Sequence, residues 1–344
     1  MALNRPVGAR ASCPVGARAS WVAARPVLAR AACLAALGWL AFWLSAEDLS
    51  YRWDPTLSRV YFGTHRDAGA IDLVVVGSSR TASGFDAHGF AEAYAERHGR
   101  ELIVFDIARF ARGPEVDYLT LRRLLAKRRV RHLLVEYQHG GLGPDALHPE
   151  LHLAAGFGEI SAVVWAQAHR PAWVRIQHIL DLWVTRASGL AALAATGELE
   201  PIEFDPDDPA PARTRDPSSV ADRARPERLK AAEARSGWRD APRRVWDFDA
   251  PDAAREARYA HKIVALAKAN GASVTFQHPN RLYEPPLDES VAHEFRERFG
   301  ARLLWVPERQ LERLYPLGYS DEKHLNVWGA KVWAEWLASE LQLR

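Results

Sequence analysis

Two short segments, one early and one late in the body of the chain, carry side chains suited to nucleophilic chemistry. The first is Gly77-Ser78-Ser79-Arg80, which follows directly on the apolar run Ile71-Asp72-Leu73-Val74-Val75-Val76. A strand that ends in a glycine and two hydroxyls presents a serine at the mouth of a sheet, and glycine permits a sharp exit. A serine hydroxyl is a weak nucleophile until a base takes its proton, so a histidine must stand beside it. A helix beginning nearby would turn backbone N–H groups toward a developing oxyanion. Taken alone, the block suits a phosphate-binding or merely capping turn at least as well. The second segment is Tyr319-Ser320-Asp321-Glu322-Lys323-His324-Leu325-Asn326. Asp-x-x-His within one turn lets the carboxylate hold the imidazole of its own segment, fixing the tautomer and leaving the other ring nitrogen for a serine. Ser79 as nucleophile, His324 as general base and Asp321 as its orienter form the candidate triad.

The elements between these segments must bring them together. Short, nearly continuous apolar runs predict strands at Asp72–Val76, Leu102–Phe105, Leu133–Tyr137, Ser273–Phe276 and Leu303–Val306, each covered on both faces. The stretches between read as helices. Asp249-Ala250-Pro251 supplies an N-cap and early proline for a helix over Ala253–Asn270, which Gly271 ends. A last helix follows His324, with Trp328, Trp333, Trp336 and Leu337 inward. This alternation predicts an α/β fold: a doubly wound, mainly parallel five-stranded sheet with its site at the carboxyl ends of the strands. Two regions interrupt it. Residues 159–196 read as helical and apolar, with Trp165, Trp173 and Trp183, and suit a cap, a partner surface or ordinary packing helices. Residues 198–226 are rich in proline, aspartate and arginine and read as an exposed loop or disordered linker. Together they make an insertion over about residues 150–245.

A chain of 344 residues that is 48% hydrophobic is long enough to bury a substantial core. Its 45 basic and 43 acidic residues leave a net charge of +2, which gives no nucleic-acid footprint. Both cysteines, Cys13 and Cys33, precede the body, so neither a disulfide framework nor a cysteine metal site is available there. Five arginines (Arg5, Arg10, Arg18, Arg25, Arg30) precede the apolar run Ala31–Ala46, and Glu47-Asp48 end it. With Arg30 reaching back to the headgroups, residues 27–46 predict a single membrane anchor, N-terminus cytoplasmic and residues 47–344 outside. A cleavable signal peptide is the other reading of this segment, although Leu44-Ser45-Ala46 makes a poor cleavage site. Residues 1–26, in which Val-Gly-Ala-Arg-Ala-Ser occurs twice, read as a disordered basic leader. No cofactor is predicted, and no metal. His148 and His152 share a helical spacing but lack the His-Glu-x-x-His order, and there is no Gly-x-Ser-x-Gly elbow or dinucleotide glycine signature.

Serine after the first strand and Asp-x-x-His after the last together resemble the SGNH/GDSL hydrolase superfamily, over most of residues 70–344. In that family a Gly-Asp-Ser block follows strand one, and Gly77-Ser78-Ser79 is similar to it with serine in place of aspartate. The resemblance implies a flavodoxin-like fold, Ser79, Asp321 and His324 as catalytic residues, and an acyl-serine intermediate. It also implies an oxyanion hole built from the Ser79 amide, Gly113 and an asparagine after the third strand. No such asparagine is present, and Gln138 is the available substitute. Ser78, Arg80 and Arg112, with Arg109 nearby, are the expected substrate contacts. The N-terminal anchor, the Gly-Ser-Ser block and the ending His324-Leu325-Asn326-x-x-Gly329 resemble membrane-anchored members that serve polysaccharide or teichoic-acid O-acylation. They imply a glycan as acyl donor or acceptor and a polytopic membrane O-acyltransferase as partner. The alternative is a non-catalytic member that scaffolds such a complex.

Overall fold

The computed structural model describes residues 70–108, 113–139, 157–165, 171–196, 237–251, 253–315 and 317–343. The expected leader, anchor, 198–226 loop, Arg109, Arg112, His148 and His152 lie outside these residues. Among the described residues, no helix is long and apolar enough to cross a membrane.

Five strands form one all-parallel sheet: β1 (Ile71–Val76), β2 (Val104–Asp106), β3 (Val130–Glu136), β4 (Ser273–His278) and β5 (Arg302–Trp305). Their order is β2-β1-β3-β4-β5, so the winding reverses between β1 and β3 and opens a crevice there at the carboxyl ends. The α/β architecture expected from the alternation is present. Strand limits differ from the apolar runs because pairing, not hydrophobicity, sets them. β3 begins at Val130, opposite Ile71, three residues before the run Leu133–Tyr137, and β4 continues to His278.

The connecting helices are α1 (Ser79–Gly84), α2 (Ala87–His98), α3 (Pro114–Lys127), α4 (Phe157–Trp165), α5 (Ala172–Thr196), α6 (Ala254–Ala269), α7 (Glu289–Phe299), α8 (Glu308–Leu314) and α9 (Val327–Glu340). They cover both faces of the sheet. On one, Val74, Val76, Leu133 and Phe276 pack with Leu121 of α3, Ile263 of α6 and Phe295 of α7. On the other, Leu73, Val75 and Leu134 pack with Phe90 of α2 and Trp333 and Leu337 of α9. Alternate residues of each strand serve opposite cores, which is why the runs are apolar throughout.

Three expectations need correction. Asp249 does not cap α6, whose N-cap is Ala253 without a side-chain bond; the Asp249 carboxylate pairs instead with Arg298. Trp328 lies in the first turn of α9 and is 45% exposed, whereas Trp333, Trp336 and Leu337 are buried as expected. The chain rejoins the core before residue 245, because Trp238 is buried beside Tyr315. The helical part of the insertion packs on α3: Ile160 and Val164 meet Val116 and Leu119, while Trp165 and Trp173 stay exposed.

Candidate active site

The turn after β1 begins at Gly77. One step past the Val76–Val135 pairing, it stands beside Glu136 at the end of β3. A Cβ at Gly77 would lie 2.6 Å from Glu136 Oε2 and 2.6 Å from Thr81 Oγ1, so any other residue there would have to displace those side chains. Ser78 caps α1, its hydroxyl accepting from the Arg80 amide at 3.3 Å, and Ser79 becomes the first helical residue.

The second half of the site is the loop before α9. Asp321 Oδ1 accepts from the backbone amides of Lys323 (2.8 Å) and His324 (2.9 Å), which folds the segment into a tight turn. The same carboxylate accepts from His324 Nδ1 at 2.8–2.9 Å. The loop is held at both ends. Tyr319 and Leu325 form a bridge, and the Asn326 side chain accepts from the Gly329 amide at 2.9 Å while donating to the Leu317 carbonyl at 2.6 Å. A Cβ at Gly329 would lie 2.0 Å from the Gly318 carbonyl oxygen, so the Leu325-Asn326-x-x-Gly329 ending is a docking device for α9. The loop after β4 braces it further: Leu282 N–H donates to the Glu322 carbonyl at 3.0 Å and Tyr319 O–H to that of Asn280 at 2.9 Å.

These two halves meet. His324 Nε2 lies 2.9 Å from Ser79 Oγ, so carboxylate, imidazole and hydroxyl form an unbroken hydrogen-bonded line. With Nδ1–H committed to Asp321, Nε2 is the acceptor for the serine proton. His324 and Asp321 side chains are 22% and 33% exposed, so a substrate can approach them. Partial burial alone would raise the Asp321 pKa. The bond from His324, the Lys323 amide and the imidazole charge together outweigh that and hold it below the ordinary carboxylate value. Asp321 is therefore the ionised partner that an imidazolium needs.

No protein-family model and no curated protein sequence matches this chain.

The expected substrate contacts fare differently from the triad. Arg80 is only 6% exposed; its guanidinium pairs with Glu136 at 3.3 Å and donates to the Pro279 carbonyl at 3.1 Å, so it is an internal brace. Ser78 is likewise buried, its hydroxyl donating to Glu136 Oε1 at 2.9 Å. Gln138 does not turn its amide toward the serine. Nε2 donates to Ser78 Oγ at 2.7 Å and to Glu136 Oε1, which engages both of its hydrogens. Gly113 is buried as the N-cap of α3, under the ion pair of Glu115 and Arg255, and Arg112 is outside the described residues.

Sequence reasoning missed Glu136 and Asn280. Glu136 ends an apolar strand and its side chain is 1% exposed, on the same crevice as Ser79. A lone acidic residue at the carboxyl end of a buried strand was the available signal. Asn280, two residues past β4, is 2% exposed and neither atom of its side-chain amide has a hydrogen-bond partner. The sequence offered no pattern that singles it out.

Proposed function

We propose that this chain is a serine-dependent acyl-ester enzyme of the SGNH/GDSL hydrolase type, an esterase or O-acyltransferase acting through an acyl-Ser79 intermediate. The observation that carries this reading is the line Asp321–His324–Ser79, with contacts of 2.8 and 2.9 Å, at the switch point of a β2-β1-β3-β4-β5 sheet. His324 takes the Ser79 proton as Oγ attacks the acyl carbon. It then returns that proton to the departing alkoxide, and the second half-reaction repeats the exchange with water or a sugar hydroxyl. Hydrolysis and transfer differ only in that acceptor.

The finer fold reading, a flavodoxin-like SGNH domain behind a single N-terminal anchor and interrupted by a helical insertion, rests on the same strand order and on the arginine-flanked run before Glu47. The anchor places the body outside the cytoplasm, where an envelope glycan is the acyl donor or acceptor and a polytopic O-acyltransferase the partner. A second reading, a non-catalytic scaffold of this fold, is favoured by one observation: the Gln138 amide is turned to Ser78 and Glu136, away from the role of third oxyanion donor. Loss of one such donor typically costs about two to three orders of magnitude in rate.

A fluorophosphonate probe on the detergent-solubilised full chain separates the two. The wild type is expected to label, Ser79→Ala not at all, and Ser78→Ala more slowly but still measurably. Labelling that persists in Ser79→Ala removes the nucleophile assignment, and an unlabelled wild type leaves the scaffold reading in front.

A further inference from the structure

Glu136 gathers contacts from five groups around the nucleophile turn. Its Oε2 accepts from the Ser78 amide at 2.6 Å and the Thr81 hydroxyl at 2.7 Å. Its Oε1 accepts from the Ser78 hydroxyl at 2.9 Å and from the Gln138 amide, and it pairs with the Arg80 guanidinium at 3.3 Å. Of these groups the Ser78 N–H and the Arg80 guanidinium have no acceptor form, whereas the hydroxyls can turn and the Gln138 amide can flip. The first two are divided between the two oxygens. An amide in place of the carboxylate would set its N–H against the Ser78 backbone N–H in one orientation and against the Arg80 guanidinium in the other, and would lose the charge that pairs with Arg80 in both.

From this arrangement we infer that Glu136 is the positioning residue of the site: its carboxylate, reaching across from β3, fixes the turn that aims Ser79 Oγ at His324 Nε2. It touches neither substrate nor the reacting atoms. The sequence block Gly77-Ser78-Ser79 carries no acid of its own, and Glu136 supplies one from the neighbouring strand. The close approach is built in from both sides, since Gly77 leaves only enough room for the Glu136 side chain. The Ser78 N–H bond is the decisive one, because it fixes the Gly77–Ser78 peptide, and the chain turns from there into Ser79 and α1. Release of that bond lets the turn rotate, and a displacement of about 1 Å at a reacting group costs on the order of 100-fold.

The inference rests on Ser79 being the nucleophile, so its test needs one readout that depends on activity and one that does not. Glu136→Gln, in the full chain, is expected to lower the fluorophosphonate labelling rate and kcat for an acetyl ester about 100-fold, with KM changed less than threefold. Glu136→Asp, which keeps two acceptors on a shorter arm, should recover part of the rate. Val291→Ala, a buried change in α7, controls for lost stability and is expected to keep the wild-type rate. The second readout is a crystal structure of Glu136→Gln, in which the Ser79 Oγ–His324 Nε2 separation should exceed hydrogen-bond distance. A wild type that does not label, with that separation still opened by Glu136→Gln, defeats the acyl-serine reading and leaves the positioning role standing. Unchanged labelling in Glu136→Gln, or an unchanged Ser79–His324 contact, overturns the positioning role.

Discussion

At the scale of single residues, the site is held by polar groups that each engage several neighbours. Asp321 serves two purposes with one side chain: it closes the 321–324 turn through two backbone amides and it holds the imidazole that the turn presents. Asp321→Asn keeps the size but presents an amide N–H to Nδ1 or to the turn amides, and favours the wrong imidazole tautomer. Turnover of a small acetyl ester is expected to fall by about 10⁴-fold in Asp321→Asn, and at least as far in His324→Ala. Circular dichroism of both should match the wild type, because neither side chain is in the core. Full turnover in His324→Ala with an unchanged spectrum would refute the triad. Arg80 has the residue type expected of an anion-binding rim, yet its burial against Glu136 and the Pro279 carbonyl makes it part of the scaffold.

At the scale of elements, two glycine contacts decide whether the halves of the site meet. Gly77 lets β1 exit beneath Glu136, and Gly329 lets the first turn of α9 press on Gly318. The second is the harsher constraint, because its obstacle is backbone and cannot swing away. Gly329→Ala is expected to cost about 3 kcal/mol, at the upper end for overpacking, and to lower the Tm by roughly 6–12 °C for a domain of this size. The same shift moves the loop that carries His324, so labelling of Ser79 should slow even below the melting range. A melting temperature within about 2 °C of the wild type would mean that α9 docks without this contact. The insertion belongs to this scale as well: α4 rests on α3 through Ile160 and Val164, which fixes it on the outer side of a flanking helix.

At the scale of the whole molecule, buried neutral histidines give the fold a direction of pH sensitivity. Burial lowers His132 from 6.5 to about 4. Burial first, and then the charge of Arg80, hold His278 well below the ordinary imidazole value. Both are neutral in the folded protein near neutral pH. The unfolded chain takes up protons at these positions as pH falls through about 6.5 and the folded chain does not, so stability falls with pH across that window. His132 alone should account for a loss of about 2 kcal/mol at pH 5, from 1.36 kcal/mol per pH unit. His278 adds in the same direction. Asp321, whose folded value is depressed, extends the loss below the ordinary carboxylate range, where the unfolded chain protonates first. Urea midpoints of the body, residues 47–344, measured at pH 7.5 and pH 5 should differ accordingly, and His132→Asn should flatten the difference. Equal midpoints at the two pH values would remove both histidines as the cause.

What the amino-acid sequence determined by itself was local and periodic. Continuous apolar runs marked five buried strands, since a strand covered on both faces has no polar side to show. Asp-x-x-His marked a turn that closes on itself, because its bonds run between residues three apart. Ser79 and His324 could be paired in advance because each follows a recognisable strand or turn and the alternation predicts that such ends share one edge of the sheet. The tertiary structure decided everything that depends on neighbours distant in sequence. Glu136 meets Ser78 only because β3 lies beside β1, a register that no run of hydrophobic residues specifies. Gln138 and Arg80 were given exposed roles by their residue types; hydrogen bonds to that carboxylate and to Ser78 reassign the first, and burial against the carboxylate the second. Trp328 fits the apolar pattern of α9, but it stands on the outer side of the first turn, where Gly329 and Ala330 are the residues that are buried. Periodicity tells which side chains share a face; which face is covered, and by what, is settled only when the elements pack.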